Sequence, residues 1–181
     1  LNCIGELNNS SPAKEMDLLS SVDYENVDKV LVTIHRRENH GEPLLRILDA
    51  LVELAKMYPE VQFIFPVHPN PNVGCQVRES LAGIDNIHLT IPMSYFDFIS
   101  TMRQCLFVMS DSGGVQEEAP SLGKYVIVFR ESTERPDALN EGWLFLVGSN
   151  REKIISQFGT CLDLSRNLVQ SKSQIYGTGN A

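Results

Sequence analysis

The 181-residue chain lacks several patterns that mark particular classes of protein. Its four cysteines form no Cys-x-x-Cys pair and stand far apart, which disfavours both a zinc site and a disulfide framework. We expect reduced, buried or incidental thiols. No run approaches the roughly 20 apolar residues of a membrane-spanning helix, and no charged-then-apolar leader opens the chain. These absences predict a soluble, cytoplasmic protein without a membrane partner.

Basic residues are also scarce, because 15 Lys and Arg face 23 Asp and Glu and leave a net charge of -8. Binding a nucleic acid requires many cations along one face, so we expect no nucleic-acid partner. A small anionic ligand requires only a few cations in one pocket. Four arginines fall in two short segments, at Arg36 and Arg37 and at Arg130 and Arg135, which makes these segments candidates for anion contacts.

Several catalytic patterns are missing as well. The four histidines lack metal-ligand spacing and no cysteine pair accompanies them, so we predict no metal site. There is no Gly-x-Ser-x-Gly nucleophile elbow, and no glycine-rich turn is followed by Lys-Ser or Lys-Thr. We therefore expect neither a serine hydrolase nor a P-loop nucleotidase, and no cofactor.

Short apolar runs alternate with helical patterns through most of the chain. In several runs the side chains of both odd and even positions are apolar, as expected where helices cover both faces of a parallel sheet. Helices are predicted over 43–58 and 94–104, from near Gly113-Gly114, and from near Asn150. The alternation predicts an α/β fold, a Rossmann-like open parallel sheet with helices on both faces. The predicted strands are 29–34, 61–67, 86–90, 106–110, 125–129 and 143–147.

Polar motifs follow four of the predicted strands. Because the carboxyl ends of parallel strands share one edge, where ligands of such sheets bind, we predict that these motifs form one site. The motifs are HRREN at 35–39, HPNP at 68–71, DSGG at 111–114 and RESTERP at 130–136.

The turn of Ser112, Gly113 and Gly114 combines backbone freedom with the positive end of a helix, which suits a diphosphate. The alternative is that Asp111 or Ser112 merely caps the helix. Glu118, one turn inside that helix, could accept both hydroxyls of a ribose. As a surface acid it would need no explanation.

His35 beside two arginines at a strand end favours anion binding. Arg130 and Arg135 could each bind phosphate or pair with an acidic neighbour, Glu131 or Glu134. The sequence does not decide between phosphate binding and a salt bridge for either arginine.

Two further residues are weaker candidates on the sequence alone. His68 lies in a proline-rich turn and could be only a hydrogen-bonded loop residue. Phe98 could stack on a flat base, although helical spacing is equally typical of a core residue.

Four segments together resemble the C-terminal half of the non-hydrolysing UDP-N-acetylglucosamine 2-epimerases of bacteria. They occur in the family's order and spacing, and the resemblance covers about residues 29–180. The segments are TIHRREN at 33–39, PVHPNP at 66–71, DSGGVQEEAPSL at 111–122 and RESTERP at 130–136.

The resemblance implies a role for each candidate. Phosphates near the reacting bond contact Arg135 and the catalytic His35, while Phe98 lies near the uracil and Glu118 holds the ribose. Residues that match Arg36 and His68 help to form a second, allosteric UDP-N-acetylglucosamine site in substrate-activated members. The diphosphate is held by Ser112, Gly113 and Gly114.

The family reaction removes the proton at C2 of the sugar, expels UDP to leave 2-acetamidoglucal, and adds UDP back after protonation of the opposite face. In the family, two Rossmann-like domains enclose the site, as in a large class of glycosyltransferases known as GT-B. The first domain supplies most carboxylates that move the C2 proton. The resemblance implies that residues 29–181 are the second domain and 1–28 a linker with a remnant of the first.

The partner expected from the resemblance is a UDP-sugar, together with an N-terminal domain in cis or in trans and a homodimer when complete. The chain alone is then expected to be inactive. An alternative is a non-catalytic module that binds or senses a nucleotide sugar. A third possibility is a sugar transferase domain, in which the HRREN segment would be unexpected.

Overall fold

The computed structural model describes residues 27–134 and 136–176, and Arg135 and most of the predicted linker lie outside these ranges. Strands and helices alternate along the described chain. The strands are β1 Lys29–Thr33, β2 Gln62–Pro66, β3 Ile87–Thr90, β4 Phe107–Ser110, β5 Val126–Val128 and β6 Leu144–Leu146. The helices are α1 Glu42–Met57, α2 Pro71–Leu81, α3 Tyr95–Gln104, α4 Val115–Ser121, α5 Pro136–Asn140 and α6 Arg151–Tyr176, with a 3-10 turn at Arg37–Asn39.

All neighbouring strands pair in parallel, in the order β3-β2-β1-β4-β5-β6. Strands β2 and β3 therefore lie on one side of β1, and strands β4, β5 and β6 follow in order on its other side. Val30 of β1 lies opposite Phe63 of β2 on one side and Phe107 of β4 on the other. The strand order reverses between β1 and β4, and such a reversal is where sheets of this kind form a ligand crevice.

Helices cover both faces of the sheet because successive strand residues alternate between two apolar clusters. In β1, Val30 and Val32 pack with the buried faces of α1, α2 and α6, while Leu31 packs with those of α3 and α4. The predicted Rossmann-like sheet with helices on both faces is thus confirmed.

Two helices were not predicted from the sequence. The first, α2, buries Val73, Val77 and Leu81 at a spacing of four residues, and Pro71 stands at its first position. That periodic signal was present, but the proline-rich motif before it favoured a loop. The second, α5, has only five residues, which is too short for periodicity to reveal.

The three cysteines in the described residues are free thiols, as expected, and Cys3 lies outside those residues. Burial raises the pKa of the Cys105 and Cys161 thiols to about 12 in each case, so both are inert at neutral pH. No helix in the described ranges combines the length and the apolar character needed to cross a membrane.

Phe158 of α6 joins the helix to the sheet, and replacing it tests the packing. Its fully buried ring lies 5.0 Å from Tyr58, 5.5 Å from Phe63 and 5.2 Å from Phe107, measured between ring centroids. We expect Phe158→Ala to lower the free energy of unfolding by about 3–5 kcal/mol, measured by urea denaturation. Phe96→Ala makes the same change at a side chain that is 84% exposed, and should cost less than about 0.5 kcal/mol. Equal losses in the two variants would contradict this packing.

Candidate functional site

A buried carboxylate joins the loops that follow β1 and β4. Asp111, directly after β4, is fully buried and accepts hydrogen bonds from the backbone amides of His35 at 3.1 Å and Arg36 at 2.9 Å. Its Oδ2 also accepts from Asn39 Nδ2 at 2.9 Å. These donors all belong to the loop after β1, so Asp111 fixes that loop against the end of β4.

Asp111 is therefore not a helix cap, and the capping alternative for Asp111 and Ser112 is wrong. Helix α4 has Gly114 at its N-cap position, and no side chain accepts a capping hydrogen bond there. The Asp111 oxygens instead accept hydrogen bonds from the loop after β1. The first amides of α4 are left for backbone contacts or for a ligand.

The His35 ring lies between Asp111 and His68. Its Nδ1 is 3.2 Å from Asp111 Oδ1, and its side chain is 37% exposed. The His35 and His68 rings are stacked, with centroids 6.4 Å apart and planes inclined by 21°. His68 Nδ1 accepts a hydrogen bond from the Asn70 amide at 3.2 Å. The loops after β1, β2 and β4 thus converge, as the sheet topology predicted.

The glycine turn lies directly beside an arginine. A methyl group built at Gly113 would lie 3.3 Å from Arg36 Nη2, so the guanidinium closely approaches the backbone there. Neither Gly113 nor Gly114 has a positive φ. An added methyl group at Gly113 would therefore meet only the flexible end of the Arg36 side chain, and no unusual backbone conformation requires a glycine here.

Gln116 is a site residue that the sequence analysis missed. It is fully buried, its Nε2 donates to the Ser112 carbonyl at 3.2 Å, and its Oε1 accepts from Thr133 Oγ1 at 2.5 Å. Gln116 thereby links the glycine turn to the loop after β5. A polar residue between the buried Val115 and Ala119 was the available signal, although it could not identify the partner.

Arg130 is paired across the sheet edge. Its Nε lies 2.9 Å from Glu38 Oε1. The sequence had offered Glu131 or Glu134 as the acidic partner, and the structure shows Glu38 instead. The Glu131 carboxylate packs against Gly148, where φ is +58° and an added methyl group would overlap it. A cavity of about 310 Å³ is lined by Glu38 and Arg130 and also by Glu131 and Gly148.

The remaining candidates lie on α3, on α4 and outside the described residues. Glu118 is half-buried on the first turn of α4, and Phe98 is half-buried on α3 against the cluster that contains Met102 and Val115. Arg135 is outside the described residues, so its predicted role remains a prediction. No group of His, Cys, Asp and Glu within the described ranges could hold a metal ion.

Asn39 tests the link between the three loops. Its Nδ2 also donates to the Phe129 carbonyl at 3.1 Å, so one buried amide joins the ends of β4 and β5. We expect Asn39→Ala to lower the free energy of unfolding by about 1–3 kcal/mol, because Asp111 and Phe129 each lose a donor inside the protein. Asn140→Ala, at an exposed position, is the matched control. Identical urea midpoints for both variants would show that the link contributes nothing.

Comparison with known proteins identifies relatives along nearly the whole chain. The family model described as UDP-N-acetylglucosamine 2-epimerase matches residues 6–181. The UDP-N-acetylglucosamine 2-epimerase of Neisseria meningitidis serogroup A is 41% identical over 170 residues, which are 93% of this chain and 46% of the relative. The Yersinia pestis enzyme of the same name is 51% identical over 130 residues, 72% of this chain and 35% of the relative. The chain thus spans less than half the length of these curated relatives.

Solved structures agree with the sequence relatives. The Neisseria meningitidis UDP-GlcNAc 2-epimerase bound to UDP-GlcNAc superposes with a TM-score of 0.77 at 41% identity, over 88% of this chain and 43% of the other. Staphylococcus aureus MnaA, solved with UDP, gives a TM-score of 0.74 at 32% identity, over 87% and 41%. On this match in sequence and fold, the chain belongs to the UDP-N-acetylglucosamine 2-epimerase family.

Proposed function

We propose that this chain is the UDP-binding half of an isomerase that interconverts UDP-N-acetylglucosamine and UDP-N-acetylmannosamine. The observation that carries the proposal is the convergence of loops at the switch point, where Asp111 holds the loop after β1 against the glycine turn. The relatives support the choice of ligand, since one was solved with UDP-GlcNAc and another with UDP.

The glycine turn and Arg36 suit a diphosphate. Arg36 Nη2 lies beside Gly113, and the uncapped first turn of α4 follows immediately. A diphosphate there would receive backbone amide donors and a charge-assisted hydrogen bond from a guanidinium. We assign Ser112, Gly113 and Gly114 to the diphosphate, with Arg135 as the second cation.

The nucleoside would extend along α4 and α3. Glu118, half-buried on the first turn of α4, has two carboxylate oxygens that can each accept a ribose hydroxyl. Phe98 on the neighbouring helix is partly exposed, which leaves ring surface for a uracil.

His35 is the residue that we assign to the reacting end of the ligand. It lies in the same loop as Arg36, so a diphosphate at Gly113 would place its sugar-bearing phosphate near the imidazole. In the proposed reaction UDP leaves the sugar and then returns, so the protein must hold the free nucleotide beside the intermediate. Fixed donors that stabilise the leaving diphosphate lower the barrier of that step.

Catalysis would also require groups from outside this chain. The C2 proton has to be removed from one face of the sugar and supplied to the other, and we expect the carboxylates of a first domain to do this. We therefore propose that the chain acts with an N-terminal domain, in a homodimer when complete. Arg36 and His68, which we also assign to a second UDP-GlcNAc site, adjoin His35, so that site would share a wall with the first.

The nucleotide site can be tested by calorimetry with UDP on the 181-residue chain. We expect Glu118→Gln to weaken UDP binding by about tenfold, because the amide keeps only one acceptor oxygen, and Arg135→Ala to weaken it at least as much. Glu117→Gln makes the same change one residue earlier, at an exposed position, and should alter the Kd by less than about twofold. If Glu118→Gln and Arg135→Ala both bind as the control does, the assignment is wrong.

Turnover distinguishes an epimerase half from a module that only binds or senses the nucleotide sugar. We expect no product from the chain alone. Addition of the separately expressed first domain of the Neisseria relative should yield UDP-N-acetylmannosamine, detected by proton NMR, and His35→Ala should abolish it. UDP binding without turnover in the complemented mixture would instead favour the sensing function.

A further inference from the structure

Asp111 accepts hydrogen bonds from three groups of the loop after β1 and also contacts the His35 ring. Two backbone N–H groups, those of His35 and Arg36, and the Asn39 amide point to its oxygens. None of these donors can act as an acceptor at that atom, so the carboxyl group must present lone pairs to all of them. In its ionised form Asp111, which is fully buried, offers only acceptor oxygens to these partners.

This acceptor determines which nitrogen of His35 carries the proton. His35 Nδ1 lies 3.2 Å from Asp111 Oδ1, and at that distance an ionised carboxylate repels a ring lone pair and attracts an N–H group. The neutral ring is then protonated at Nδ1, and Nε2 keeps a free lone pair. The stacked ring of His68 has the opposite arrangement, because its Nδ1 accepts from the Asn70 amide and its proton must lie on Nε2.

We propose that Asp111 is a positioning residue that holds His35 in the Nδ1–H tautomer and so makes Nε2 the nitrogen that meets the ligand. The value of this arrangement for catalysis rests on the proposed function, in which His35 lies near the phosphates of the leaving UDP. There Nε2 can accept a proton, or donate one to a phosphate oxygen once it is protonated. In the described structure the His35 ring contacts the Asp111 carboxylate and stacks on the His68 ring.

An amide at position 111 should reverse the tautomer. Oδ2 meets two obligate donors, Arg36 N–H and Asn39 Nδ2, so the single oxygen of an asparagine would be retained on that side. Its NH₂ group would then occupy the Oδ1 position and face His35 Nδ1, while the His35 backbone N–H would keep its second acceptor, the oxygen on the Oδ2 side at 3.2 Å. To accept from that NH₂ group, the ring must move its proton to Nε2.

Long-range proton–nitrogen NMR of the ligand-free 181-residue chain measures this directly, at a pH of about 8.5 where a histidine is ordinarily neutral. We expect His35 to show a protonated Nδ1 and a bare Nε2, with its signals assigned by their loss in His35→Gln. In Asp111→Asn the ratio of the two tautomers should shift by at least about tenfold towards Nε2–H. His68 should show Nε2–H in both proteins.

Asp49→Asn, the same change on the exposed face of α1, is the control and should leave the His35 tautomer unaltered. A wild-type His35 protonated at Nε2 would overturn the proposal, and so would an unchanged tautomer ratio in Asp111→Asn. Should Asp111→Asn fail to fold, the wild-type spectrum alone decides.

UDP titrated into the wild-type sample should shift the His35 Nε2 signal more than the Nδ1 signal. If UDP does not bind, the proposed function fails while the ligand-free result still stands or falls on its own.

Discussion

The arrangement of the whole carboxyl edge depends on the need to satisfy one buried charge. The Asp111 carboxylate has no exposed surface, and a carboxylate taken out of water costs several kcal/mol unless donors replace the water. Donors from the loop after β1 do so, from the backbone at His35 and Arg36 and from the side chain of Asn39. The loop can only take a path that brings these donors together. Strands β1 and β4 are adjacent in the sheet, so that path is short.

Two buried amides extend the same principle to the loop after β5. Asn39 reaches from Asp111 to the Phe129 carbonyl, and Gln116 reaches from the Ser112 carbonyl to Thr133. Each amide has donors and an acceptor on one rigid plane, so it can satisfy partners on two different loops. The loops are thereby held together by buried hydrogen bonds, and under the proposed function donors fixed in this way would stabilise developing charge without reorganisation.

The sequence predicted the fold better than it predicted the site. The six strands could be located to within about a residue at most ends, because their runs are apolar on both faces and polar motifs follow them. Those motifs were expected at one edge for a topological reason that needs no side-chain detail. The roles of Asp111 and Gln116 could not be predicted in the same way. Asp111 meets His35 across 76 residues of chain, and local pattern indicated only a helix cap.

Under the proposed function, a chain of net charge -8 binds an anion at the glycine turn. Screening in physiological salt limits most interactions between exposed charges to about 8 Å, so the groups near the turn matter more than the total. There the Asp111 carboxylate is already satisfied by donors of the loop after β1, while the Arg36 guanidinium lies beside Gly113. Under the proposed function, a bound diphosphate would be balanced by backbone amides, by the Arg36 guanidinium and by Arg135. Asp111 also contacts the His35 ring, so one buried carboxylate orients both the backbone that carries Arg36 and the imidazole next to it.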